Sequence, residues 1–399
     1  MPQSSYIVLV DCNNFFVSCE ELYDPSLKGK PVCVLGNNDG CVVARSNPAK
    51  DLGITMGMPY FIAKKKFPDA IYLSGNLAKY KSISKKIMAK LTDFTPNVEV
   101  YSIDEAFLDI TGCEKTHKIS YLEIARKVRT DIKNEIGIDV SIGLSPTKTL
   151  SKLASEIAKS GIRKHTDLSG VYEINEENRV EILKNTSINE IWGIGRNLEK
   201  TLRRHNIRSA FDYTKLSDDF LKRNLGKIGL DLKQELLGNS VSPVEYENSL
   251  PKSISSTRSF RNFTTDKSVI KNALNGHLHH VCTKLREYNL TAKHLSIMLR
   301  TKDFKIFTNK ISLDEPVDSE FEINKKIYTL FDEIYMKGVI YRSCGVVLSR
   351  VEPKKEMQLG LFSAKEKEKS KNLSKAWDNI EKKFGQGTLK IGKTTEETE

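Results

Sequence analysis

Along residues 1–172, short apolar runs rich in β-branched residues alternate with amphipathic stretches. The run YIVLVD (6–11) ends in a carboxylate and predicts a buried strand. KPVCVLG (30–36) and GCVVARS (40–46) flank a segment containing Asp39-Gly40, a turn signal that predicts a hairpin. Leu77 to Phe94 has the spacing of a lysine-rich amphipathic helix, and EVYSIDEAFLDI (99–110) reads as two strands joined tightly near its middle. Tyr121 to Ile136 is a second helix, DVSIGLS (139–145) a strand, and Thr147 to Ser160 a helix behind Pro146. That alternation implies a layered α/β or α+β unit.

The pattern then changes. Glu176 to Gly238 is mostly helical, with short glycine-containing connections. Alternation returns in SISSTRSF (253–260), HLSIMLRT (294–301), FKIFTNKISL (304–313) and YRSCGVVLSRV (341–351). Helical stretches around 267–287 and 320–336 lie between them, which predicts a four-stranded sheet backed by two helices. After Pro353 the chain is polar and Lys/Glu-rich, and a flexible tail is expected there.

Charge narrows the class. The 399 residues carry 63 Lys and Arg against 51 Asp and Glu, a net +12. Residues 251–350 alone hold 17 Lys and Arg against 10 Asp and Glu, an excess of seven. A polyanionic partner is permitted, and a strongly anionic surface is excluded. The seven cysteines include no Cys-x-x-Cys pair, which argues against a disulfide framework or a zinc ribbon. Reduced thiols, with neither a secretory leader nor an apolar run of membrane length, point to the cytoplasm and away from a membrane.

Candidate chemistry begins with three carboxylates. Asp11 closes the first strand, and Asp104-Glu105 lie near the turn of 99–110. Sharing one pocket, they would repel one another and raise one another's pKa values. Two divalent cations about 3.5–4 Å apart resolve that conflict and suit phosphoryl chemistry. Acidic residues at strand ends are more commonly solvated turn residues, so the carboxylates alone do not decide. Lys152 and Lys159, seven apart on the helix that opens at Ser145-Pro146-Thr147, share a face that could meet phosphate or simply water. WGIGRNLEKTLRRHNI (192–207) places Gly193 and Gly195 in a tight turn before a basic helix beginning at Arg196. That is the shape of a helix-hairpin-helix, whose backbone N–H groups bind DNA phosphate, and also of a plain helix–helix loop.

Taken together, VLVDCNNFFVSCE (8–20), VVARSNPAKDLGITMGMP (42–59), YSIDEAFLDITG (101–112), SIGLSPTKTLSKLASEIAK (141–159) and WGIGR (192–196) carry a resemblance. In content, order and spacing the chain resembles the Y-family translesion DNA polymerases, most nearly those of the UmuC type. The resemblance implies a multidomain α+β right-hand polymerase. Its palm would be 1–18 and 76–172, its fingers 19–75, a helical thumb 173–240, a little finger 241–352, and a tail from 353. It implies that Asp11, Asp104 and Glu105, with the backbone carbonyl of Cys12, hold two Mg²⁺, Mn²⁺ being an accepted substitute. Phe16 matches the steric gate beneath the incoming sugar, with Phe15 beside it at the nucleotide or in the core. Lys159 matches the lysine on the triphosphate. DinB-like relatives carry Tyr and Arg on the triphosphate where this chain has Asn47 and Lys50, so Lys50 and the nearby Arg45 are the fingers candidates. In the little finger, Arg258 and Arg261 are expected at the template backbone.

The implied reaction is template-directed, error-prone nucleotidyl transfer from dNTPs to a primer. In the tail, Gln358-Leu359-Gly360-Leu361-Phe362 resembles a bacterial sliding-clamp-binding motif, with Gln358, Leu359, Leu361 and Phe362 as contacts. AWDNIEKKFGQGTLKIG (376–392) resembles the C-terminal segment of UmuC-type proteins and implies a UmuD′-like subunit and RecA as partners. His277, His279 and His280 read as surface or phosphate-facing residues rather than metal ligands. Two other readings stay open: another palm-fold two-metal enzyme, such as a nucleotidyl cyclase, and a catalytically inactive subunit that binds damaged DNA.

Overall fold

The structure, a computed structural model, describes residues 5–163, 170–246, 250–354, 364–385 and 387–389. The chain forms two compact units, Met1–Asn248 and Ser249–Glu399. The first runs β1 (Ile7–Cys12), α1 (Phe15–Tyr23), β2 (Val32–Leu35), β3 (Val42–Arg45), α2 (Asn47–Asp51), α3 (Tyr60–Lys66), β4 (Ile71–Ser74), α4 (Leu77–Leu91), β5 (Val98–Val100) and β6 (Glu105–Asp109). It continues with α5 (Cys113–His117), α6 (Tyr121–Ile136), β7 (Val140–Ser145), α7 (Lys148–Arg163), β8 (Val171–Glu173), α8 (Arg179–Asn185), α9 (Arg196–Arg204), α10 (Ala210–Thr214) and α11 (Asp218–Leu236).

The main sheet has the order β5-β6-β1-β7-β8, antiparallel except for β7–β8. Strands β1 and β7 are buried along their whole length. Alternate residues of a strand face opposite sides, and here both sides are covered. Val8, Val10, Ile142 and Leu144 pack with residues of α4 and α6, whereas Ile7, Leu9 and Phe107 pack with Val244 and Trp192. Helix α6 starts on a Ser120–Glu123 capping box and ends at Gly137, whose φ of +84° needs no Cβ. A smaller sheet, β3-β2-β4, carries the expected hairpin between β2 and β3. The helical portion closes over Leu183, Ile188, Leu202, Tyr213, Leu221 and Leu236, which pack with Leu150 and Leu153 of α7.

The boundary between the two units lies at 248/249, because the chain after α11 is strapped back onto the first unit. Glu235, only 2% exposed, accepts backbone N–H bonds from Thr149, Val241 and Ser242 at 3.1, 2.9 and 3.1 Å. Val244 is buried against the sheet, and the Glu245 N–H donates to Glu99 at 2.6 Å.

The second unit comprises β9 (Ser253–Thr264), α12 (Lys267–Glu287), β10 (Leu290–Thr301), β11 (Ile306–Val317), α13 (Glu320–Ile334), β12 (Tyr341–Pro353) and α14 (Ala364–Phe384). Its sheet is antiparallel in the order β11-β10-β12-β9. Leu295, Ile297, Leu299, Cys344, Val346 and Leu348 share a core with α12 and α13. The residues between them, such as Ser296 and Val347, lie on the other face of the sheet.

The expected flexible tail is instead helical over Ala364–Phe384. Ser374, Trp377, Asp378 and Glu381, at helical spacing, face α12 and α13. Ser374 meets Ser319 at 2.9 Å, and the Trp377 ring stacks on His279 at 4.4 Å. Asp378 takes the Arg286 guanidinium at 2.7 and 2.8 Å. His279 therefore does not face phosphate. Its ring bonds Glu320 at 2.7 Å and Glu381 at 3.0 Å. Burial disfavours its charged form, but the two carboxylates outweigh this and raise its pKa. The stretch 358–362 and residues 390–392 lie outside the described residues.

Candidate active site

The site is built at one end of the main sheet. Asp11 and Glu105 are paired in register on adjacent strands β1 and β6, which makes their side chains neighbours. Asp104 is drawn in by its backbone, its carbonyl accepting the Cys12 N–H at 2.9 Å. Ser102 shapes the turn that delivers Asp104 and Glu105. Its hydroxyl donates to the Asp104 carboxylate at 2.5 Å and accepts the N–H groups of Asp104 and Glu105 at 3.2 and 3.1 Å.

Two lysines from α7 face these carboxylates. Lys159 Nζ lies 2.9 Å from both oxygens of Asp11, and Lys152 Nζ lies 2.8 and 3.0 Å from those of Glu105. The seven-residue spacing does put both on one helix face, as expected, but they meet carboxylates. Gly143 lets α7 come this close. A Cβ there would lie 1.9 Å from the Ser151 carbonyl oxygen and 2.3 Å from the Ser155 nitrogen. Burial pushes the Asp11 carboxyl up to about 6; Lys159 opposes the rise and Glu105 adds to it. Lys152 also sits over the rings of Tyr101 and Trp192, at 5.0 and 5.7 Å. One ammonium thus touches both a site carboxylate and the aromatic foot of the Gly193–Gly195 turn.

Three carboxylates and a backbone carbonyl are hard oxygen donors of the kind Mg²⁺ takes, and the strand register gathers them. As the side chains stand, Lys152, Lys159 and Ser102 occupy these oxygens. Among the described residues no group of three or more His, Cys, Asp or Glu side chains is arranged to hold a metal ion.

The two aromatics behave differently. Asn14, with φ +50°, ends the extended run, so Phe15 and Phe16 open a helix. Phe15 is 3% exposed within the core, one of the two places the sequence left open for it. Phe16 is half-buried, and its ring stacks on Tyr80 at 4.5 Å.

In the fingers candidates, Lys50 Nζ donates to Asn14 at 2.6 Å and reaches Asn47 at 3.4 Å. Asn14 in turn donates to Asn47 at 3.1 Å, so this group is tied to the end of β1. Arg45 Nη1 donates to the Ile54 carbonyl at 2.6 Å, bracing the loop after α2, while its buried Nε has no hydrogen-bond partner among the described residues.

Gly193 has φ +90°, and Gly195 caps α9, which begins at Arg196. All three are exposed, and a Cβ on either glycine would meet nothing within 4 Å. In the second unit, Ser256 bonds His277 on α12 at 2.8 Å. Strand alternation puts Arg258 on that same helix-covered side. Its charge adds to burial and His280 in lowering the His277 pKa to about 4. The opposite face carries Ser255, Thr257, Thr308, Lys310 and Ser312, all exposed. Arg261 is exposed beyond an irregularity in the β9–β12 register.

Sequence reasoning did not find Ser102, the carboxylate contact of Lys152, or Tyr80. A serine two residues before an acidic pair at a turn was the available signal for the first. Lys152 and Tyr80 come from distant helices, and no local pattern marks them.

The model of the impB/mucB/samB family matches residues 10–156, and that of the family's C-terminal domain matches residues 251–361. Protein UmuC of Salmonella typhimurium is 30% identical over 390 residues, 96% of this chain and 92% of that protein. DNA polymerase IV of Dehalococcoides mccartyi is 31% identical over 397 residues, 97% of each. A Y-family DNA polymerase chimera of Dbh and Dpo4 matches with a TM-score of 0.74 at 25% identity, covering 87% of this chain and 99% of that one. The chain belongs to the impB/mucB/samB family of Y-family DNA polymerases. It is a DNA-directed DNA polymerase, a metal-dependent nucleotidyltransferase, built of palm, fingers, helical thumb and a four-stranded little finger. Among the described residues no helix is long and apolar enough to cross a membrane.

Proposed function

We propose that the chain carries out error-prone translesion synthesis on primer–template DNA by two-metal-ion nucleotidyl transfer. The observation that carries this reading is the register pairing of Asp11 with Glu105, with Asp104 bound through its backbone to Cys12. Under it, Asp11, Asp104, Glu105 and the Cys12 carbonyl hold two Mg²⁺. Bound there, the cations favour ionisation of the primer 3′-hydroxyl and offset the charge of the triphosphate. Lys159 and Lys50 supply positive charge for the triphosphate; an ammonium does this as a point charge, without the fork of an arginine. Phe16 lies beneath the sugar. Gly193, Gly195 and Arg196 offer exposed N–H groups and charge to DNA phosphates.

In domain terms, the five-stranded sheet with α4, α6 and α7 is the palm, and the β3-β2-β4 module the fingers. The helices from α8 to α11, with the strap to Glu245, form the thumb. Purified protein with Mg²⁺ and dNTPs should extend primers on undamaged templates and past a template lesion. Failure to pass any of a panel of lesions, with undamaged synthesis intact, would remove the translesion reading.

The face of the second unit's sheet that carries exposed Thr257, Thr308 and Lys310 is the better DNA surface. Lys310→Ala should lower the log–log salt slope of DNA affinity by about one unit. Arg258→Ala, on the helix side, should change it little. Equal slopes for Lys310→Ala and wild type would refute this placement.

The motif Gln358-Leu359-Gly360-Leu361-Phe362 is proposed to bind a sliding clamp. Replacing Leu361 and Phe362 with Ala should remove clamp-dependent processivity and leave distributive synthesis unchanged. Calorimetry with the tail peptide is the direct check, and absence of heat would end the idea. A UmuD′-like subunit and RecA are the further partners proposed for 376–392, measured by co-purification with each.

A further inference from the structure

We propose that Tyr80 is a positioning residue for sugar discrimination, holding the ring of Phe16 rigid from behind; this rests on the assignment of Phe16 as the gate. A gate excludes a 2′-hydroxyl only if its ring cannot yield. The surroundings of Phe16 supply that resistance from one residue on another helix. Tyr80 comes from α4 and is fully buried, at 0% exposed. Its ring lies 4.5 Å from that of Phe16, with 18° between the planes. Its hydroxyl donates to Glu20 Oε1 at 2.6 Å. Glu20 follows Phe16 by four residues on α1, so the two share a helix face. Tyr80 is thus pinned at both ends to the helix that carries the gate.

Glu20 is itself held. Its other oxygen takes Lys79 Nζ at 2.7 Å, and that ammonium lies 4.1 Å from the centroid of the Tyr23 ring, one turn further along α1. Burial, and next the bond to Glu20, raise the Tyr80 pKa, so the phenol remains a donor at any working pH. Half-buried Phe16 therefore has one face against a buried ring whose far end is hydrogen-bonded back to the same helix. Smaller apolar side chains at position 80 would leave space into which the gate could swing when a ribose pushes on it.

The test is the ratio of kcat/KM for matched dNTP and rNTP pairs, measured with melting temperatures in wild type, Phe16→Ala, Tyr80→Leu, Tyr80→Phe and Glu20→Ala. Tyr80→Leu should lose about tenfold of the deoxyribose preference, mainly through better rNTP use. Tyr80→Phe keeps the stacked ring but loses the bond to Glu20, and should lose about as much of the preference as Glu20→Ala. Glu20→Ala frees the hydroxyl without opening the core and should lose about threefold to fivefold. A core aromatic with no bearing on the gate would lower the melting temperature and leave the ratio alone. A wild-type ratio in Tyr80→Leu, with an altered ratio in Phe16→Ala, overturns the role of Tyr80 while the gate stands. An unchanged ratio in Phe16→Ala removes the gate assignment itself. Should Tyr80→Leu not fold, an unchanged ratio in Glu20→Ala overturns the proposal.

Discussion

Asp104→Asn and Glu105→Gln should each cut primer extension by on the order of 10²–10³ or more, with fold and DNA affinity nearly intact. That is the scale of losing one preorganised electrostatic group at a reacting centre. The replacements keep size and shape, remove the charge and turn one acceptor oxygen into a donor amide. Each residue is anchored by its backbone as well as through its carboxylate. Asp104 and Glu105 both bond Ser102 Oγ through their N–H groups, and Glu105 is paired with Asp11 in the sheet. The turn should therefore survive the change. Lys152 loses an ion pair in Glu105→Gln but keeps its contacts with the Tyr101 and Trp192 rings. Single-turnover extension in Mg²⁺, with melting temperature and DNA affinity alongside, is the measurement. Wild-type rates in either variant would show that these carboxylates do not hold the catalytic cations.

Phe16→Ala should raise relative ribonucleotide use by roughly two to three orders of magnitude while dNTP use survives. A deoxyribose offers only hydrogen at C2′, and a flat ring can lie against it. A ribose would press its hydroxyl into the ring, losing hydration without gaining a partner. Each 1.36 kcal/mol of that cost is tenfold in discrimination, so a few kcal/mol gives the stated range. The two adjacent phenylalanines separate cleanly in this respect. Phe15 is 3% exposed in the core, and Phe15→Ala should lower stability by about 3–5 kcal/mol and leave sugar preference alone. A larger change in sugar preference for Phe15→Ala than for Phe16→Ala would mean that the gate has been assigned to the wrong ring.

Local periodicity carried much of the fold. Helix α6 forms over Tyr121–Ile136, as its apolar spacing predicts. The 99–110 segment does split into two strands around a tight turn, and the four-stranded sheet with two helices forms in the second unit. What stayed hidden was non-local or masked by composition. Helix α14 looks like solvated Lys/Glu-rich chain, because its inward face of Ser374, Trp377, Asp378 and Glu381 has a single apolar residue, and Asp378 and Glu381 bond Arg286 and His279. The start of α1 was obscured because Asn14 takes a left-handed conformation that ends the strand without a glycine or proline. In the site, the acidic residues were legible as a turn pair and a strand end. Their pairing with Lys152 and Lys159 was not, since it depends on how closely α7 approaches Gly143.

The strap from Val241 to Glu245 bears on where a second unit taken from another such polymerase could be joined to this chain. A crossover at the end of α11 would graft a foreign Val244 and Glu245 onto a sheet whose pocket was shaped for the resident pair. It would also leave Glu235, almost wholly buried, facing unfamiliar backbone. A crossover beyond Glu245 carries all of these contacts with their own half. The join that leaves every one of these contacts in its own half therefore lies beyond Glu245, several residues downstream of α11.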